Sequence, residues 1–313
     1  MERRNFIQSA FCSLACAGMG VHLLDSNDVL RGATGPRISV PPRNKTFSME
    51  LKPEVLRSYR NYAGWLRRLT ERLGYGRTLE IWNDAYRNYD ETRLDEILSS
   101  GWIPKNDNGP NDENEKINDI VNTYFLSPVE GLTKDETLQI IETTPPIKQI
   151  RNYFSSSLNL QKDITAYDSL FLSYDGPALL IEALIKHHKK EGELIAYDFI
   201  RERRIYGAEK NPLSVEQLLF AIGSITKSEK PNLMSATLTT EVISTSNREI
   251  VMHVKECEWA RYFRENHPTV GYLMSCSTDE AAYKTANKNI RMQRTGSIME
   301  GNEICDFRVY AVS

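Results

Sequence analysis

Ser235-Ala236-Thr237-Leu238-Thr239-Thr240-Glu241-Val242-Ile243, a polar Ser244-Thr245-Ser246-Asn247, and then Glu249-Ile250-Val251-Met252-His253-Val254-Lys255-Glu256 mark where the hydrophobic period of this chain changes. Both runs are rich in Thr, Val and Ile, and the polar tetrapeptide between them suits a hairpin. Alternation in the second run sets Ile250, Met252 and Val254 on one face and Val251, His253 and Lys255 on the other. Downstream, the pattern predicts helices over Cys257–Glu265 and Thr278–Lys288. Two more strands, Asn289–Thr295 and Ile304–Ala311, join around Gly301-Asn302. The expected fold class is α+β: a helical N-terminal half, residues 51–230, followed by an antiparallel-hairpin module over 231–313.

Upstream of this switch the spacing is helical. Val55, Leu56, Tyr59, Tyr62, Ala63, Leu66, Leu69 and Leu73 recur on one stripe, with Pro53 near the first turn and Gly74 as the stop. That predicts a helix over Lys52–Leu73. Further helices are expected over Thr78–Tyr86, Glu91–Leu98, Lys116–Phe125, Lys134–Glu142 and Ile147–Ser155. Gly176–Lys190 and Glu193–Arg203 follow, and Pro104–Asn114 reads as a polar loop. The cluster Arg201-Glu202-Arg203-Arg204 reads as a solvated helix face.

The 313 residues carry 39 Lys+Arg and 42 Asp+Glu, a net charge of −3. With no basic stretch interleaved with aromatics, nucleic acid is not an expected partner. Arg3-Arg4-Asn5-Phe6-Ile7 precedes an apolar stretch, Phe11 to Leu24, and a polar Arg31-Gly32-Ala33-Thr34-Gly35. Positive start, apolar run and polar end are the three parts of an export signal. The Arg-Arg-x-Phe-Ile order resembles a bacterial twin-arginine signal, so residues 1–33 are expected to direct export to the periplasm. Residues 34–50 read as a linker. Cys16 faintly resembles a lipid-anchoring cysteine, but Ser13 stands where Leu is usual. The apolar run is too short to span a bilayer comfortably.

Beyond that signal the chain keeps three cysteines, Cys257, Cys276 and Cys305, an odd number. This points to a free thiol or to a metal holding all three. Cys276 precedes Ser277-Thr278-Asp279-Glu280, whose Ser277/Glu280 spacing is that of a capping box. The positive end of the following helix would lower the Cys276 thiol from the usual value near ~8.5. Cys257 opens a helix that carries Trp259, Tyr262 and Phe263 on one face. His253 and Asp279 are candidates to carry a proton. Cys305 alternates with Phe307 and Val309, and Asp306 faces the other way. Arg294 shares the apolar strand face of Ile290 and Met292, so it should meet a carboxylate, either Asp306 or one on a substrate. No Cys-x-x-Cys pair, phosphate loop or nucleophile elbow is present.

Val254-x-x-Cys257, Cys276-x-x-Asp279, Arg294-Thr295 and Gly301-x-x-x-Cys305-Asp306-Phe307-Arg308 together resemble the L-2-amino-thiazoline-4-carboxylic acid hydrolase family, most closely over residues 245–311. The resemblance implies hydrolytic opening of a thiazoline ring to N-carbamoyl-L-cysteine. On that expectation Cys276 attacks, or zinc on Cys257, Cys276 and Cys305 activates water. His253, Asp279 or Asp306 moves the proton, and Arg294 with Trp259 holds a small carboxylate-bearing substrate. Two alternatives stand beside it: a non-catalytic small-molecule-binding domain, and a structural zinc module.

Overall fold

A computed structural model describes residues 45–105, 113–155, 157–210, 213–224 and 236–312. The export signal and the Cys16 reading lie outside these residues. The chain is mixed α+β and divides into two compact units. One holds residues 48–164 and 168–192; the other holds, among the described residues, 45–47, 165–167 and those from Glu193 onward.

β1 (Thr46–Glu50) leads into α1 (Leu51–Leu73) of the first unit. Phe47 and Met49 alternate into the interior, so the end of the expected linker is a strand. The α1 stripe Val55, Tyr59, Tyr62, Leu66 and Leu69 is buried as its spacing predicts. Gly74 ends the helix at φ 82°, a left-handed conformation that glycine adopts without a Cβ clash. α2 (Tyr75–Tyr86) and α3 (Thr92–Leu98) follow. Tyr62, Trp82 and Tyr86 stack edge to face at 5.6–6.4 Å.

β2 (Ile103–Pro104) pairs antiparallel with β3 (Leu160–Thr165), and the sheet order is β1-β3-β2. Between them run α4 (Glu113–Tyr124), α5 (Lys134–Thr143) and α6 (Pro145–Tyr153). A capping box at Thr133 and Glu136 starts α5. β2 and β3 have no signature in the alternation pattern, because β2 is two residues long and β3 is mostly half-exposed.

α7 (Ala166–Lys210) runs on from β3 and is interrupted at Lys189, which adopts φ 49° and ψ −123°. The break falls just inside the C-terminal end of the first of the two helices expected from the sequence, Gly176–Lys190. The first of them starts ten residues earlier than Gly176, since Pro177 is tolerated inside it.

The second unit takes in the last part of α7, from Glu193, and α8 (Val215–Ser224). Its sheet is antiparallel in the order β4-β5-β7-β6: β4 (Leu238–Thr245), β5 (Glu249–Cys257), β7 (Cys305–Ala311) and β6 (Ile290–Gln293). The β4–β5 hairpin and both later strands stand where the period predicts them. α9 (Glu258–Asn266), α10 (Gly271–Ser275) and α11 (Asp279–Ala286) lie between β5 and β6. Ile250, Met252 and Val254 of β5 are buried with Val309 of β7 and Ile290 and Met292 of β6. That apolar face organises the site below. Among the described residues no helix is long and apolar enough to cross a membrane.

Candidate active site

Cys276 is not at a helix start. It follows the last residue of α10 and closes that helix, its N–H donating to Tyr272 O across 2.9 Å. Ser277 Oγ turns back to donate to Leu273 O at 2.7 Å and so does not cap α11, whose first-turn neighbour Thr278 makes no side-chain cap. The dipole argument therefore fails. Burial pushes the Cys276 thiol up, Asp279 adds to that, and the nearby Arg294 opposes it. The helix that displaces the expected cap, α10, is five residues long. It exists because Gly271 lets the chain press on α9: a Cβ there would meet Phe263 Cβ at 2.6 Å.

Asp279 is buried in the first turn of α11, with its side chain 6% exposed, and accepts from Arg204 Nη1 at 2.8 Å. Burial raises its carboxyl to about 8, against the pull of Arg294 and Arg204. Arg204 is thus no part of a solvated face, although Arg201 and Glu202 are exposed. It lies on the stripe Ala196, Ile200, Arg204 and Ala208 at four-residue spacing, buried at its two ends and half-buried between, a signal present in the sequence.

Arg294 follows β6 and is 4% exposed. Its Nη2 donates to Tyr272 Oη at 3.3 Å and lies 3.9 Å from Glu300 Oε2. Its guanidinium carbon stands 5.8 Å from the Tyr272 ring centroid. Nη1 is buried and has no hydrogen-bond partner. Burial works against its charge, but Cys276 and Asp279 outweigh it and hold the guanidinium charged.

Asp306 does not meet Arg294. It accepts from the backbone N–H of Thr295 at 2.9 Å and of Gly296 at 2.8 Å, and from Thr295 Oγ1. Burial opposes its charge, and these hydrogen bonds more than offset it, holding the carboxyl below its usual range. Asp306 therefore secures the turn after Arg294. His253 pairs with Asp306 across β5 and β7, so the two share a face, opposite the one that Val254 and Cys305 share. It also pairs with Glu241 of β4 and is not brought to the thiols.

Cys305 Sγ accepts from Ile298 N at 3.2 Å. Arg264 Nη2 donates to Ile298 O, so the backbone of Ile298 is held through both its N–H and its carbonyl. This fixes the short 3-10 turn Ile298–Glu300 that carries Glu300 towards Arg294. Burial and the neighbouring Cys276 raise Cys305 to about 12. Cys257 sits just ahead of α9, and burial raises it too, reinforced by Cys305 and Cys276. The N–H groups of Ala260 and Trp259 act the other way. Trp259 is buried and stacked on Phe263 at 6.3 Å, a core position and not a wall that faces a ligand.

All three cysteines are free. Among the described residues no three His, Cys, Asp or Glu side chains form a group able to hold a metal ion. The zinc reading of Cys257, Cys276 and Cys305 has no such arrangement to rest on. The structure instead gathers Cys276, Asp279, Arg294 and Tyr272, with Arg204 behind them and Cys305 and Cys257 beside them.

Residues 173–309 match the family model of L-2-amino-thiazoline-4-carboxylic acid hydrolase. The resemblance read over 245–311 is borne out, and the match to this hydrolase family begins earlier, within α7. It takes in Arg204 together with Cys257, Cys276, Asp279, Arg294 and Cys305. No match was found among curated proteins or among solved structures.

Proposed function

We propose that the protein hydrolyses a small cyclic amidine bearing a carboxylate, of the thiazoline-carboxylate class. The observation that carries this reading is the buried, unpartnered Nη1 of Arg294 beside Cys276 and Asp279. A buried guanidinium donor left unmade in the free protein costs about 1–3 kcal/mol, which a substrate carboxylate would recover.

With the carboxylate on Arg294, the amidine carbon faces the thiol. Asp279, raised to about 8, takes the Cys276 proton as sulfur attacks the carbon between ring nitrogen and ring sulfur. The ring carbon–sulfur bond then breaks, and the departing sulfur receives that proton. Water, deprotonated by Asp279, attacks the carbon held on Cys276. The Cys276 sulfur leaves and is reprotonated, and the net reaction consumes one water to give an N-carbamoyl amino acid with a free thiol. Cys276→Ala, with folding verified by circular dichroism, should abolish turnover of L-2-amino-thiazoline-4-carboxylate. Undiminished turnover removes Cys276 from the mechanism.

One observation favours a second reading. Burial raises all three thiols, which suits a binding pocket that never forms a thiolate. Saturable binding of cyclic amidines or N-carbamoyl amino acids without any turnover would select that non-catalytic domain. Export by the twin-arginine route is proposed from Arg3-Arg4 and the apolar run after them alone. An Arg3→Lys/Arg4→Lys chain that still reaches the periplasm would refute it.

A further inference from the structure

We infer that Arg204 is a positioning residue for this site, one guanidinium that holds both Asp279 and the backbone leading into Cys276. The inference rests on reading Cys276 and Asp279 as the reacting pair. Nη1 donates to Asp279 Oδ1 at 2.8 Å, and Nη2 donates to Met274 O at 3.0 Å and Ser275 O at 3.3 Å. Those carbonyls end α10, where a helix leaves its acceptors without intrahelical donors. A helix of five residues has little stability of its own, so its end is set by what it packs on. Arg204 supplies that from the long α7 and is itself 13% exposed, which removes it from competing water.

Asp279 is faced by Arg204 from α7, by Arg294 beyond β6, by Tyr272 in the first turn of α10 and Cys276 just after its end, by Cys305 of β7 and by Tyr283 of its own helix. Among these, Arg204 makes the charge-assisted hydrogen bond to it. Lysine would keep the charge there, but a point ammonium cannot reproduce a planar fork that reaches one carboxylate and two carbonyls. The two functions of Arg204, setting charge and setting place, are therefore separable by substitution.

The test follows the pH dependence of Cys276 alkylation by iodoacetamide, resolved by peptide mass, in the wild type, Asp279→Asn, Arg204→Met and Arg204→Lys. Steady-state kcat and KM for L-2-amino-thiazoline-4-carboxylate are measured in parallel on chains shown to be folded. The wild type should show an inflection near about 8 that Asp279→Asn lacks. Arg204→Met should move that inflection up by about one pH unit or more, the loss of one charged hydrogen bond. Arg204→Lys should keep the inflection but lower kcat about tenfold with KM little changed, the mark of lost placement. An unmoved inflection in Arg204→Met, or an unchanged kcat in Arg204→Lys, overturns the inference. If Arg204→Met does not fold, the lysine variant alone decides. If the wild type turns over no substrate, the hydrolase reading fails, and the alkylation profiles still decide the role of Arg204.

Discussion

Arg294 Nη2 donates to Tyr272 Oη across 3.3 Å, while Nη1 of the same guanidinium is buried with no partner. Half of the fork is thus anchored and the other half is open. A planar group held in this way is oriented before a carboxylate arrives, which lowers the entropy cost of gripping it. Tyr272 is itself raised by burial, with Arg294 opposing, so it stays a neutral hydroxyl that accepts from the arginine.

Removing that guanidinium should therefore separate activity from stability. Arg294→Met should lower kcat/KM for a carboxylate-bearing substrate by about 100-fold, the worth of a charged hydrogen bond pair. The same change removes a buried unpartnered donor, so the free energy of urea unfolding should hold or rise, by about 1 kcal/mol at most. Unchanged kcat/KM would show that Arg294 grips no substrate.

Asp279 gives a pH signature of stability. Its folded-state carboxyl is raised above the unfolded one, so the fold binds its proton more tightly than the unfolded chain does. The associated stability is fully present below the ordinary value of 3.8 and is lost as pH rises towards about 8. Tm measured across that window should fall more steeply in the wild type than in Asp279→Asn, where the titrating group is gone. Parallel profiles for the two proteins would place the ionisation elsewhere.

Asp306 should behave in the opposite sense, and in stability alone. Its carboxyl is lowered in the fold, so its contribution is present above the unfolded value near ~3.9 and lost as pH falls through the folded one. Asp306→Ala leaves the N–H groups of Thr295 and Gly296 without their acceptor and should cost about 1–2 kcal/mol in urea unfolding at neutral pH. Substrate-saturated kcat should stay within about twofold of wild type. A selective collapse of kcat with unchanged stability would return Asp306 to the catalytic groups.

The residues of the site were not equally legible. Arg294 is out of place on an apolar strand face, and that misfit is local, so alternation alone exposes it. Cys276 and Asp279 were singled out for a capping box that is not made: Ser277-Thr278-Asp279-Glu280 has the spacing and α11 does start at Asp279, but Ser277 is engaged by α10 first. His253 and Asp306 looked reactive by type, yet the β5–β7 register sets both on the face away from the thiols. Trp259 looked like a pocket wall and is stacked in the core. Arg204 was hidden by its neighbours Arg201, Glu202 and Arg203, although its own four-residue stripe runs between the buried Ala196 and Ala208.

The sequence by itself determined the α1 stripe, the change of period at the β4–β5 hairpin, the later strands and the cysteine and arginine types that the site uses. These follow from periodicity, which is set by bonds and dihedrals within a few residues of each other. Only the tertiary structure decided the state of those groups. Burial raises Cys276 and Asp279 where a helix dipole was expected to lower the thiol, and an arginine 75 residues away along the chain holds the carboxyl. Desolvation and long-range pairing depend on what closes over a side chain, and no local spacing encodes that.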